Sequence, residues 1–234
     1  MLYLISLGLS EKGMSLEALE AGKACQRLYI EQYTSPGKPI SGLERVFGKR
    51  IRALERSGLE EKSGKIIKEA KSLDVGVLVW GDALFATTHI SLILECRKKE
   101  IPYQVVHGPS ILAAAGECGL SLYKFGEIVT VPRWKKNYRP SGFYGTILRN
   151  KKMGLHSLIL LEIDMAAEEG LEILRRIEKG RKKKLFQGKI VSVSRAGTRE
   201  QVIMYGTGVS GQPPAVLILP GRLNGFEKEF LESL

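Results

Sequence analysis

A glycine and an aspartate end an apolar run in the first half of the chain. Residues 75–80, Val-Gly-Val-Leu-Val-Trp, form this run, and Gly81 and Asp82 follow it directly. Such a run is typical of a parallel strand that is covered on both faces. In open α/β sheets, ligands bind beyond the carboxyl ends of the strands. The spacing therefore predicts a ligand-binding turn that contains the Asp82 carboxylate.

The same residues also allow a structural interpretation. Small and hydroxylated residues follow Asp82, and a helix is predicted from about His89 to Lys99. Asp82 or Thr87 would then only cap this helix, and the spacing alone leaves both interpretations open. His89 lies near Asp82 in the sequence, but the two residues make no catalytic triad without a nucleophile in place.

Strands and helices alternate through the first half of the chain. Strands are predicted at residues 2–7, 28–33, 51–54, 75–80 and 103–107, helices at 15–25, 43–47, 61–73 and 89–99, and a turn-rich loop at 34–39. This alternation indicates a parallel α/β sheet, because parallel strands need crossover connections that are usually helical.

The second half of the chain has a different pattern. After a small helix at 112–118, strands are predicted at 127–132, 158–163, 189–194 and 215–219, with helices near 142–152 and 166–179. We therefore predict an α/β protein with two domains, residues 1–112 with a parallel sheet and residues 113–234 with a mixed α/β structure. A cleft between two such domains would be a natural ligand site.

The composition excludes several classes of protein. Hydrophobic residues make up 44% and charged residues 26% of the chain, as in ordinary globular proteins. No apolar run approaches the roughly 20 residues that cross a bilayer, so no membrane partner is expected. The three cysteines and three histidines are scattered, which favours a cytoplasmic protein without disulfides or a metal site.

The charge of the chain is strongly positive. Thirty-six basic and 25 acidic residues give a net charge of +11, with basic clusters at residues 97–99, 133–139 and 181–184. This charge suits a nucleic acid or another acidic partner, or else the clusters are solvated helix ends and loops. Because no recognised nucleic-acid-binding motif accompanies the charge, no stable nucleic-acid partner is expected.

A second glycine-rich stretch is a weaker candidate for a site. Residues 206–211, Gly-Thr-Gly-Val-Ser-Gly, match the fingerprint of dinucleotide binding, which requires a helix to open directly after it. Gln212, Pro213 and Pro214 follow instead, so a connecting loop is predicted. His107 and His156 lie at strand ends and are predicted to be structural.

The block at residues 81–89, Gly-Asp-Ala-Leu-Phe-Ala-Thr-Thr-His, resembles the Gly-Asp-Pro-Leu-x-Ala-Thr-Thr-His block of diphthine synthases. These enzymes are S-adenosylmethionine-dependent methyltransferases of the tetrapyrrole-methylase superfamily. Other blocks resemble the same family in the same order, at residues 4–9, 31–35, 107–111, 119–126, 154–158, 194–197 and 213–221. The resemblance thus covers the whole chain.

The resemblance implies a homodimer of two-domain subunits with S-adenosylmethionine in the cleft between the domains. The implied substrate is elongation factor 2, on which the amino group of a 3-amino-3-carboxypropyl-histidine is trimethylated in diphthamide biosynthesis. The implied cofactor contacts are Leu9, Asp82, Phe85, Ser110, Ile111, Leu161, Ala196 and Ala215. No catalytic residue is assigned. Because positioning supplies much of the catalysis of such a transfer, we expect no covalent intermediate and no essential general base.

Two residues depart from the pattern of the family. Ala83 stands where the family has proline, and Ala215 stands where relatives often have histidine. Two alternatives therefore stay open. One is another methyltransferase of the superfamily, acting on a tetrapyrrole or on ribosomal RNA, and the other is a non-enzymatic binding module that keeps the cleft.

Overall fold

The computed structural model describes residues 1–32, 40–55, 59, 63–179, 181–182 and 184–234. These residues form two compact units, Met1–Ile111 and Leu112–Leu234. Each unit combines one five-stranded sheet with helices, so the α/β class predicted from the sequence is confirmed. The loop predicted at 34–39 and the start of the helix predicted at 61 lie outside the described residues.

The first unit is built on a parallel sheet. Its strands are β1 (Leu2–Ser6), β2 (Arg27–Glu31), β3 (Ile51–Leu54), β4 (Val75–Val79) and β5 (Tyr103–Val106). They lie in the order β3-β2-β4-β1-β5. β1 therefore has β4 on one side and β5 on the other, with Leu4 opposite both Val77 and Val105.

Helices cover both faces of this sheet. In the described part of the first unit they are α1 (Leu16–Ala24), α2 (Ile40–Phe47), α3 (Gly64–Glu69) and α4 (Ile90–Lys98). Neighbouring residues of β4, Val77 and Leu78, belong to different apolar clusters. Because successive side chains of a strand point to opposite faces, the sheet has one core on each side. This explains why all of β4 is buried.

The second unit has a mixed sheet. Its strands are β6 (Val129–Val131), β7 (Ser157–Leu161), β8 (Ile190–Ser194), β9 (Val202–Gly206) and β10 (Ala215–Leu219). They lie in the order β6-β7-β10-β8-β9. β6 pairs in parallel with β7, and the other pairs are antiparallel.

The helices of the second half include one that the sequence analysis does not predict. They are α5 (Ile111–Ala114), which starts at the last residue of the first unit, α6 (Phe143–Lys152), α7 (Ala167–Glu178) and α8 (Gly225–Ser233). Neither α8 nor β9 is predicted above. β9 lies at the edge of the sheet and Val202 is 48% exposed, so it lacks the burial pattern of the other strands.

Candidate functional site

Three strand ends of the first unit meet at the predicted ligand turn. Gly8, after β1, and Gly81, after β4, exchange two backbone hydrogen bonds with N–O distances of 2.8 and 3.1 Å. Their φ angles are +69° and +76°, a conformation that favours glycine. Gly108 follows β5, and a Cβ atom there would lie 2.9 Å from the Ser6 Cβ. Glycine thus allows the three turns to approach one another closely.

The Asp82 carboxylate is held by groups from two of these turns. Its Oδ1 accepts a hydrogen bond from the Leu84 N–H at 2.9 Å. Its Oδ2 accepts from the His107 Nδ1 at 2.8 Å and from the Gly108 N–H at 3.3 Å. Burial opposes ionisation, but these hydrogen bonds outweigh it, so the pKa of Asp82 lies below its ordinary value. Asp82 is therefore a fixed anion at neutral pH.

The backbone of Ala83 organises the rest of the β4 turn. Its N–H donates to the Ser6 Oγ at 2.9 Å, and its carbonyl accepts from the Thr87 hydroxyl at 2.6 Å. The Nδ1 of the buried His89 lies 3.0 Å from the same carbonyl. These contacts fix the path of the chain after Asp82.

The interpretation of Asp82 or Thr87 as a helix cap is wrong. α4 begins at Ile90, and its N-cap residue is His89, whose side chain makes no capping hydrogen bond. The Asp82 carboxylate instead joins two turns, and the Thr87 hydroxyl donates to the Ala83 carbonyl. Asp82 therefore connects the β4 and β5 turns, and binding of a ligand by this turn stays a prediction.

Five of the predicted cofactor contacts lie on the turns of the first unit. They are Leu9, Asp82, Phe85, Ser110 and Ile111. Phe85 is held in the β4 turn because its N–H donates to the Asp82 carbonyl at 3.1 Å. All five residues are partly exposed. The turns thus combine accessible backbone groups with one carboxylate.

The other three predicted contacts lie at one end of the second sheet. Leu161 ends β7, Ala196 follows β8, and Ala215 begins β10. They come together because β10 lies between β7 and β8, with Ala215 opposite Ser194. Each of the three is 8% exposed, so only a small part of each is open to contact. Contact of these residues with a cofactor stays a prediction.

The glycine-rich stretch at residues 206–211 forms a loop, as the sequence predicts. β9 ends at Gly206, and no helix opens before β10 within this described segment. The loop is held against β8, since the Ser192 hydroxyl donates to the Ser210 carbonyl at 3.0 Å and the Ser194 hydroxyl to the Gln212 carbonyl at 2.6 Å. It therefore lacks the helix that would hold a pyrophosphate.

The two histidines predicted to be structural differ in their surroundings. His156 is fully buried, with its Nδ1 accepting from the Gly221 N–H at 2.8 Å and its Nε2 lying 3.1 Å from Glu227. It is structural, as predicted. The His107 side chain is instead 70% exposed and pairs with Asp82. This contact between the β5 and β4 turns is not predicted from the sequence.

Other chemistry is limited in the part of the chain that the structure describes. No three His, Cys, Asp or Glu side chains there are grouped to hold a metal ion. Burial raises the pKa of the three free cysteine thiols, that of Cys25 to about 11, which makes them poor nucleophiles. None of the described helices is long and apolar enough to span a membrane.

A comparison with known protein families identifies the class of enzyme. Residues 1–208 match the family described as Tetrapyrrole (Corrin/Porphyrin) Methylases, and this match covers the first unit and most of the second. The chain belongs to this family and is an S-adenosylmethionine-dependent methyltransferase.

Relatives that match the full length narrow the class. The diphthine synthase of Methanocaldococcus jannaschii is 36% identical over 253 residues, covering 100% of this chain and 98% of the relative. The diphthine methyl ester synthase of Schizosaccharomyces pombe is 36% identical over 265 residues, covering 100% and 94%. A crystal structure of diphthine synthase matches with a TM-score of 0.91 at 32% identity, covering 99% of this chain and 94% of that one. Within the methylase family, the chain groups with the diphthine synthases.

Proposed function

We propose that the chain trimethylates an amino nitrogen of elongation factor 2. The acceptor is the amino group of a 3-amino-3-carboxypropyl-histidine, and the product is the diphthine of diphthamide biosynthesis. The observation that carries this proposal is the similarity, over the full length, to the diphthine synthase of Methanocaldococcus jannaschii and the diphthine methyl ester synthase of Schizosaccharomyces pombe. The Asp82 turn supports it, because its chemistry suits the cofactor of such a transfer.

S-adenosylmethionine fits the residues of this turn. When bound, the cofactor supplies an electrophilic methyl group on a positively charged sulfonium. A carboxylate that stays ionised favours a ligand with positive charge. A Cβ atom at Gly81 would meet nothing within 4 Å, so space is open beside the turn. We assign the cofactor contacts to Leu9, Asp82, Phe85, Ser110, Ile111, Leu161, Ala196 and Ala215.

Positioning is the main contribution that we assign to the chain. The acceptor nitrogen must be neutral and in line with the methyl group, and good orientation contributes on the order of 7–11 kcal/mol. The hydrogen bonds of Ser6 and Leu84 hold Ala83 and Asp82 in place. Backbone groups and a carboxylate that do not move can fix a ligand without reorganising during the reaction.

Calorimetric titration with S-adenosylmethionine tests the cofactor assignment. We expect Asp82→Ala to weaken binding about tenfold to a hundredfold, because a hydrogen bond to a charged group contributes roughly 1.5–3 kcal/mol. Asp74→Ala is the matched control, since Asp74 directly precedes β4 and pairs with the chain's amino group at 3.4 Å. This control should bind as the wild type does.

Two outcomes would contradict the assignment in different ways. Wild-type affinity in the Asp82→Ala variant would show that the cofactor does not depend on this turn. A wild-type chain that binds no S-adenosylmethionine would instead favour the non-enzymatic binding module.

Ribosomal RNA is the second candidate acceptor, because the chain is strongly basic. The net charge is +11, and Lys135, Lys136 and Arg139 are exposed on a turn where Lys135 and Tyr138 exchange backbone hydrogen bonds. Methyl-labelled S-adenosylmethionine, offered with elongation factor 2 or with ribosomal RNA, separates the two acceptors. We expect label in the protein. Label in the RNA alone would contradict the proposal.

We further propose that the chain acts as a homodimer in the cytoplasm. The side chains of Tyr123 and Phe226, in the second unit, are 98% and 86% exposed. Large exposed apolar groups are typical of protein interfaces when they cluster. Light scattering should give twice the mass of one chain, and the mass of a single chain would contradict the dimer.

A further inference from the structure

His107 lies outside the predicted set of cofactor contacts but contacts the central carboxylate of that set. Its Nδ1 is 2.8 Å from the Asp82 Oδ2. The Asp82 side chain is only 15% exposed, whereas that of His107 is 70% exposed. The Nδ1 side of the His107 ring is therefore held by Asp82. Most of the His107 side chain stays accessible to a ligand.

The pairing with Asp82 determines which ring nitrogen carries a proton. An ionised carboxylate can only accept hydrogen bonds. The N–H groups of Leu84 and Gly108 also donate to this carboxylate and favour its ionised form. The His107 Nδ1 must then carry a hydrogen, so the Nε2 of the neutral ring presents a lone pair. A carboxylate that holds histidine in this tautomer prepares it to accept a proton.

The charges around the ring are few. Residues 8–9 in the β1 turn and residues 108–110 in the β5 turn have no titratable side chains. Among the described residues, Asp82 is the only ion-pair partner of His107. A proton that reaches the Nε2 would thus be balanced by one fixed negative charge.

Contrary to the expectation from the sequence that no general base is essential, we propose that His107 is a catalytic residue that removes a proton from the acceptor ammonium before methyl transfer. This role rests on the proposed function, which supplies an amine as the acceptor. An α-amino group has a pKa of about 7.7–8.0, so most of it is protonated near pH 7 and has no free lone pair. His107 borders the predicted cofactor contacts, because its ring joins Asp82 to the turn that carries Ser110.

The proposed step is a balanced proton transfer. One N–H bond of the ammonium breaks, the nitrogen keeps the electron pair, and an Nε2–H bond forms on His107. Asp82 stabilises the resulting imidazolium, which later releases the proton to solvent. The neutral nitrogen can then accept a methyl group and becomes cationic again. Each further methylation needs another deprotonation, so a trimethylated product requires this step three times.

Two substitutions separate proton transfer from the positioning of Asp82. His107→Asn keeps a side-chain N–H near the place of the Nδ1, so it retains a donor to Asp82 but lacks a basic nitrogen. His107→Ala lacks both. With elongation factor 2 at about pH 7, we expect kcat to fall about tenfold in both variants, because only about a tenth of the amine is neutral there without a base. The deficit of His107→Asn should nearly vanish near pH 9, where the amine loses its proton unaided.

The controls test folding and cofactor binding. His107→Asn should bind S-adenosylmethionine as the wild type does in calorimetry, because Asp82 keeps its donor. Gln104→Ala is the matched control on the same strand, where the Gln104 side chain donates to Glu17 at 3.1 Å. It should keep the kcat of the wild type at both pH values.

A positioning role alone would give a different pattern. His107→Asn would then keep the wild-type kcat near pH 7, and His107→Ala would lose activity equally at every pH. Either result, or full activity of both variants, would overturn the proposed role of His107. A wild-type enzyme that transfers no methyl group to elongation factor 2 would instead overturn the proposed function, so the two failures are distinguishable.

Discussion

Ala83 donates a backbone hydrogen bond that the proline of the family pattern could not donate at this position. The Ala83 N–H donates to the Oγ of the buried Ser6 at 2.9 Å. Proline has no N–H, so a proline here would leave the serine oxygen without this donor. We infer that Ser6 and Ala83 satisfy each other as a pair.

Single and double substitutions at these two positions measure the coupling. We expect Ser6→Ala and Ala83→Pro each to lower the free energy of unfolding by about 1–3 kcal/mol, because each leaves a buried polar group unpaired. The double variant should lose about 1 kcal/mol less free energy of unfolding than the two single variants lose together. Denaturant unfolding gives these values, and strictly additive losses would contradict the pairing.

The sequence reveals the positions of Asp82 and His107 to different degrees. The place of Asp82 beyond the end of a buried strand could be predicted, because Asp82 comes soon after an apolar run, which is a local signal. Its partner His107 is 25 positions away. Their contact depends on β1 lying between β4 and β5, and no local pattern shows that order. The contact of the eight assigned residues with the cofactor stays a prediction.

At the scale of the elements, the approach of the β1 and β5 turns depends on Gly108. A Cβ atom there would lie 2.9 Å from the Ser6 Cβ and 3.2 Å from the Gly8 N. We expect Gly108→Ala to push the turns apart and to weaken binding of S-adenosylmethionine about tenfold in calorimetry, as overpacking costs roughly 1–3 kcal/mol. Gly64→Ala is the control, since a Cβ there meets nothing within 4 Å. Equal affinity of the two variants would contradict this account.

The helix α8 is fixed to the second unit by a buried carboxylate. Glu227 accepts from the Asn224 N–H at 2.9 Å and the Ser121 N–H at 3.1 Å, and it pairs with Lys124 and His156. Burial opposes ionisation of Glu227, but these partners outweigh it and lower its pKa to about 2. Burial also lowers the pKa of His156.

These two shifts should make the protein sensitive to acid. In the unfolded chain, His156 and Glu227 take up protons near their ordinary pKa values of 6.5 and 4.5. The folded state resists both protonations, so the unfolded state binds more protons and stability falls as the pH falls. The contribution of His156 begins to be lost below pH 6.5. That of Glu227, on the order of 3 kcal/mol, is lost between pH 4.5 and about 2.

Denaturant unfolding at a series of pH values checks this expectation. Glu227→Gln should be less stable than the wild type at neutral pH, because the buried His156 and the partly exposed Lys124 lose their anion. The variant should also lose less further stability below pH 4.5. If the free energy of unfolding fell equally with pH for the wild type and the variant in that range, Glu227 would not cause the sensitivity to acid.

At the scale of the whole molecule, the fold class could be predicted and the topology could not. The alternation of strands and helices indicates a parallel sheet in the first half of the chain. In the second half, β10 lies between β7 and β8, an order that no spacing along the chain implies. The edge strand β9 is not predicted from the sequence, because none of its residues is buried and Val202 is exposed. The Asn224 and Glu227 capping pair was a usable signal for α8.

The most direct test of the central claim is mass spectrometry of elongation factor 2 after incubation with the chain and S-adenosylmethionine. The elongation factor must carry the 3-amino-3-carboxypropyl-histidine, and the unmodified factor serves as the control. We expect three methyl groups on the amino nitrogen of that residue and none on the control. A modified factor that gains no methyl group, or gains them on another residue, would contradict the proposed function.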